Sequence, residues 1–60
     1  MIGKEIREKR EKLGLSKYEL AKRVGVSWNT VHLWEKGVWS VSERNLERLR
    51  QVLSNGQRDS

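Results

Sequence analysis

An all-α fold, a bundle of four or at most five short helices, is predicted by three observations. Glycines at 14, 25, 37 and 56 each follow a stretch with helical spacing of apolar residues, the place where glycine ends a helix. Ser16, Ser27 and Ser42 stand where three of the stretches begin, as N-cap residues do. No proline, low-complexity tract or internal repeat interrupts the pattern.

The first helix is expected from about Lys4 to Leu13, with Ile2, Ile6 and Leu13 facing inward and Glu5–Lys9 and Glu8–Lys12 as i,i+4 pairs, each adding about 0.2–0.5 kcal/mol. The second, about 17–24, opens on Ser16 and Glu19, which have the spacing of a capping box. Leu20, Ala21 and Val24 form its inner face. The third, about 28–36, starts after Ser27 and ends near Lys36. The fourth starts around Ser42, or earlier if Ser40 and Glu43 form the box, and carries Leu46, Leu49 and Leu53 as its apolar stripe. Ser54, Asn55 and Gly56 are expected to end it. The domain is thus residues 1–54, with 55–60 a frayed tail.

Sixty residues make a single domain, which buries only about 60% of its unfolded surface. With no cysteine and one histidine there is no disulfide, thiolate or histidine cluster for a metal, so neither metal nor cofactor is expected. Thirteen Lys and Arg against eight Asp and Glu give a formal charge of +5 and a pI near 10.1. That balance favours a polyanionic partner, whether nucleic acid or an acidic membrane surface. No apolar run approaches the ~20 residues of a membrane span, and the opening MIGKEIREKREK is charged rather than signal-like. A cytoplasmic protein without membrane attachment is the expectation.

The window from Lys17 to Gly37 meets the needs of two tightly crossed helices. Leu20 and Val24 supply apolar contacts, and Ala21 supplies the small residue that lets a second helix approach. Gly25 tolerates positive φ in the turn, Val26 packs beneath it, and Val31 and Trp34 face inward from the second rod. The stretch GLSKYELAKRVGVSWNTVHLWEKG resembles the Cro and phage-repressor type of helix-turn-helix domain, the XRE family. The likeness runs from Ile2 to Leu53. It includes Arg10, Gly14, Leu15 and Ser16, then Glu19, Leu20 and Ala21, and the Trp34–Gly37 run that closes the third helix.

The resemblance implies a lambda-repressor-like fold in a prokaryotic or phage-encoded regulator. It further implies that the third helix enters the major groove of double-stranded DNA, and that a homodimer sits on a two-fold operator. It also implies a structural salt bridge between Arg10 and Glu35. Two departures stand out. Lys17 occupies a position that is often glutamine in the family, and the fifth helix that commonly helps to form the dimer has no room here. Monomer and dimer both stay open.

On a wheel of ~100° per residue, Trp28, Asn29, His32, Leu33 and Lys36 share the face opposite Val31 and Trp34. Asn29 is the leading base reader, since its amide can bond bidentately to adenine N6 and N7. Trp28 either lies against thymine methyls or the sugar-phosphate edge, or packs over Lys17 or Tyr18. Leu33 offers apolar contact to a thymine methyl. A phosphate near His32 would favour its charged form, so binding is expected to tighten modestly as pH falls towards 6. Ser27 and Thr30 join the set at the helix start. Lys17, Tyr18 and the first N–H groups of the second helix are expected on phosphate, with Lys36, the loop 38–42 and Arg44 at the other end. The apolar Trp39 is expected first as a cover over the core, with a two-fold interface or DNA contact as alternatives.

No nucleophile–base pair and no phosphate-cradling glycine loop is visible, so neither catalysis nor a small-molecule substrate is expected. A sequence-specific transcriptional regulator leads. A protein-interaction module using Trp28, Leu33 and Trp39 comes second. RNA binding is weaker, because the deep, narrow A-form groove suits such a helix poorly.

Overall fold

The computed structural model describes residues 2–58, with side chains through Ser54. Its described residues form four helices and no strand: α1 (Gly3–Lys12), α2 (Lys17–Val24), α3 (Trp28–Lys36) and α4 (Glu43–Arg58). Each of the last three starts on a serine. Ser16 Oγ accepts from Glu19 N at 3.0 Å and Glu19 Oε1 accepts from Ser16 N at 2.9 Å, a complete capping box. Ser27 Oγ accepts from Thr30 N, and Ser42 Oγ from Asn45 N, each at 3.3 Å. Ser42 rather than Ser40 therefore caps α4.

The core is Ile6, Leu20, Ala21, Val24, Val31, Trp34, Leu49 and Leu53. Leu13, Leu15, Val26, Val41 and Val52 pack at its edge, and Leu46 is half-buried. α3 lies between α1 and α2, and α4 packs on α2. Three expectations are corrected here. Ile2 is 68% exposed rather than inward-facing. It precedes α1, and the residue pressed onto α3 is Gly3, where a side-chain carbon would collide with the carbonyl oxygens of Trp34 and Glu35. Of the two α1 ion pairs, Glu5–Lys9 closes to 3.8 Å; Glu8 and Lys12 do not reach ion-pair distance among the described residues. The last helix does not stop at Ser54–Gly56 but runs to Arg58. A single glycine costs a helix only about 1 kcal/mol, and that does not compel an end.

The α2–α3 turn sets the relative placement of the two helices. Gly25 caps α2 with φ 92° and ψ 31°, a left-handed conformation that side-chain-bearing residues adopt at a cost. The Gly25 and Val26 amides both donate to Ala21 O, at 2.8 and 2.9 Å. Arg48 reaches over from α4 to donate to Val24 O at 3.0 Å, giving the end of α2 both a charge and a donor. Ala21, 2% exposed, is the small residue at the crossing.

Candidate nucleic-acid interface

The face of α3 opposite the core is built by exclusion. Val31 and Trp34 are 0% and 3% exposed, so the helix cannot rotate without exposing an indole. That leaves Trp28, Asn29 and Lys36 in solvent and His32 and Leu33 partly covered. Asn29 is exposed, and no protein group engages its amide among the described residues. Leu33 is half-buried rather than outward, and its carbonyl accepts the Val38 and Trp39 amides at 3.0 and 3.3 Å as the chain turns away. Ser27 and Thr30 are tied to each other through their hydroxyls at 2.9 Å; between them they keep one O–H free to donate outward.

At the start of α3 three side chains form one cluster. The Trp28 indole stacks on the His32 imidazole, with ring centroids 4.8 Å apart and planes 11° from parallel. Lys17, from the first turn of α2, places Nζ 5.7 Å from the centre of the Trp28 ring and 3.0 Å from His32 Nδ1. The first is a cation–π distance and the second a hydrogen bond. Trp28 thus packs under Lys17, one of the two arrangements its position allows. Tyr18 is 59% exposed, with the Lys22 ammonium 5.4 Å from its ring centre.

The charge at the start of α2 is less positive than the helix end alone suggests. The Glu19 carboxylate sits there, and the Ser16 backbone N–H it accepts lowers its pKa below the usual 4.5. The Ser16 hydroxyl, Arg23 and Lys22 pull the same way. An anion at this end would share it with a carboxylate, so Lys17 rather than the bare amides carries most of the local positive charge.

Behind the face, Arg10 and Glu35 form a two-pronged ion pair. Arg10 Nε donates to Glu35 Oε2 at 2.7 Å and Nη2 to Oε1 at 3.2 Å. The side chains are 9% and 3% exposed, and Arg10 Nη1 donates to Leu15 O at 2.8 Å. One guanidinium so ties α1 to α3 and to the loop before α2. At the far end of α3, Trp39 is 50% exposed and Val38 63%. This corrects the expectation that Trp39 covers the core: the loop residue packed there is Val41, because the reversal onto Leu33 O turns Trp39 outward. Sequence reasoning missed the Lys17–His32 bond, since fifteen positions separate the partners and no periodicity links them. It missed Arg48 and Gly3 for the same reason.

The turn fixed by Gly25, the small Ala21 and the inward Val31 and Trp34 mark a family, and comparison with known proteins agrees. The helix-turn-helix family profile of Cro/C1 type matches residues 6–54. The chain belongs to this family. As a family member it shares 46% identity over 48 residues with a relative from Methanothermobacter thermautotrophicus, described as an uncharacterized HTH-type transcriptional regulator. The match covers 80% of this chain and 70% of the relative. No solved structure gives a significant match. Family members are DNA-binding transcriptional regulators, and this helix-turn-helix chain shares their fold. No described helix is long and apolar enough to cross a membrane.

Proposed function

We propose that this chain is a sequence-specific transcriptional regulator that inserts α3 into the major groove of double-stranded DNA, working in the cytoplasm. The observation that carries the reading is the two-sidedness of α3: Val31 and Trp34 sealed in the core, Trp28, Asn29 and Lys36 held outward by the Gly25 turn. A groove reader needs that rigidity, because base contacts discriminate only when their geometry is fixed. Asn29 takes the role of base reader. Trp28, His32 and Leu33 flank it, and Ser27 and Thr30 face the strand at the helix start. Lys17, Tyr18, Lys36, Arg44 and the loop 38–42 contact phosphate and set the register. Arg10 and Glu35 are structural, since both are turned away from this face.

A second reading rests on Val38 and Trp39. Two neighbouring exposed apolar residues at the end of α3 suit contact with another protein, including a second copy on a two-fold site with half-sites about 34–36 Å apart.

The test is selection of bound duplexes from a randomised library, followed by titration of the winning duplex at several salt concentrations. DNA binding gives a log–log slope near 0.9 per phosphate contacted, with amide shifts clustered at residues 27–36. A two-to-one stoichiometry on symmetric winners establishes the dimer. Failure of any duplex to be enriched, with no salt-dependent binding to random duplex, overturns the DNA reading and leaves the protein-contact reading of Val38 and Trp39.

A further inference from the structure

We propose that Lys17 and His32 form one reading unit of fixed polarity: Lys17 holds the imidazole in the tautomer protonated on Nε2, so that His32 presents DNA with a donor aimed at a base-edge acceptor. The inference rests on the DNA-binding reading above and names which chemical groups that site selects.

The argument starts from hydrogen-bond polarity. An ammonium group has three donors and no acceptor. Lys17 Nζ stands 3.0 Å from His32 Nδ1, so Nδ1 is the acceptor. A neutral imidazole whose Nδ1 accepts carries its proton on Nε2. An imidazolium has no lone pair to accept with, so the contact belongs to the neutral ring.

Two neighbours then fix the ring. Stacking on Trp28 at 4.8 Å and 11° sets the plane of the imidazole. It does not stop a half-turn about the Cβ–Cγ bond, which keeps the ring plane and exchanges Nδ1 for a carbon. Lys17 does, because the half-turn breaks its hydrogen bond. Nε2 is left without a protein partner among the described residues, on the side chain one helical turn from Asn29 and Trp28. A fixed N–H can pair with guanine N7 or O6, adenine N7 or thymine O4, and cannot pair with the amino group of cytosine. Guanine, with two adjacent acceptors, is the best match. Lys17 is a positioning residue in this unit; the two donors it does not spend on Nδ1 are free for phosphate.

His32 is the only histidine, so its ring nitrogens can be followed by long-range proton–nitrogen correlation in the free, intact chain near pH 8. The expected result is a single species protonated on Nε2, and a mixture like that of free histidine in Lys17→Met. A mixture or an Nδ1–H species in the unaltered chain, or no change in Lys17→Met, overturns the proposal. This measurement uses no DNA, so its failure is distinct from failure of the DNA reading. The second measurement uses the chain made by chemical synthesis with Nε2-methylhistidine at position 32, titrated with the duplex selected by the unaltered chain. Its preference for that duplex over random duplex is expected to fall about three- to ten-fold, the worth of one net hydrogen bond. Affinity for random duplex and its salt slope should hold. Replacing the contacted guanine by 7-deazaguanine, which removes N7, should reproduce the loss of an N7 contact, whereas inosine, which keeps N7 and O6 and lacks only the minor-groove amino group, should not. A loss that instead follows methylphosphonate substitution of the backbone, or no loss at all, overturns the assignment to a base.

Discussion

Replacing Arg10 by methionine keeps the length of the side chain and removes its charge and donors. In the native protein that guanidinium makes two bonds to a carboxylate whose side chain is 3% exposed and a third to Leu15 O. Arg10→Met therefore leaves Glu35 buried without its counter-charge and the Leu15 carbonyl without its side-chain donor. Breaking a buried pair from one side costs about 3–5 kcal/mol. At about 0.05–0.15 kcal/mol per residue, a domain of this size holds only about 3–9 kcal/mol in all. The variant should be largely unfolded at 37 °C, its midpoint lowered by more than about 20 °C. Removing both charges differs. Arg10→Met with Glu35→Leu leaves no uncompensated charge and should recover most of the loss, since apolar replacement of a whole buried pair is often neutral. Thermal and urea unfolding followed by far-ultraviolet circular dichroism, arranged as a double-mutant cycle, measures the coupling. A single variant that loses less than about 1 kcal/mol, or a double variant no better than the singles, would refute the reasoning.

Gly3→Ala should destabilise the chain by more than about 1 kcal/mol, the low end of what overpacking costs, because the added carbon meets two backbone oxygens of α3 that cannot swing aside; urea midpoints give the answer, and no change means that α1 can slide. Ser16→Ala removes the α2 cap at a cost of about 1 kcal/mol, read from the same curves. Glu19 has a lowered pKa in the folded state, so its contribution is present above the usual 4.5 and is lost as pH falls through the folded value. Glu19→Gln should therefore flatten the acid limb of the stability curve below pH 4.5, and an unchanged limb would show that the capping box does not titrate with folding. Asn29→Ala should cost about 1–3 kcal/mol against the selected duplex and little against random duplex; an equal loss on both would make it a backbone contact.

Features written within a few residues of each other were legible in the sequence. The caps at Ser16 and Ser27, the left-handed turn at Gly25 and the inward pair Val31 and Trp34 each involve partners three or four positions apart, and the helical repeat exposes them directly. The family likeness added the Arg10–Glu35 pairing, which local spacing alone does not contain. What stayed hidden depends on where distant segments meet. Gly3 looks like an idle residue until α3 is laid across it. Arg48 looks like one more solvated charge until α4 brings it to Val24 O. Trp39 looks like a core residue because it is large and apolar, and only the path of the chain after Leu33 turns it outward. The end of α4 was misjudged because a glycine permits a stop without imposing one.

The three indoles of this chain occupy three different settings: Trp34 sealed at 3%, Trp28 stacked on an imidazole, and Trp39 half in water. Each is therefore expected to emit at its own wavelength, and Trp28 alone lies against an imidazole. Single-tryptophan versions would give separate optical channels for unfolding, for events at the start of α3 and for contacts at its far end, with no dye attached.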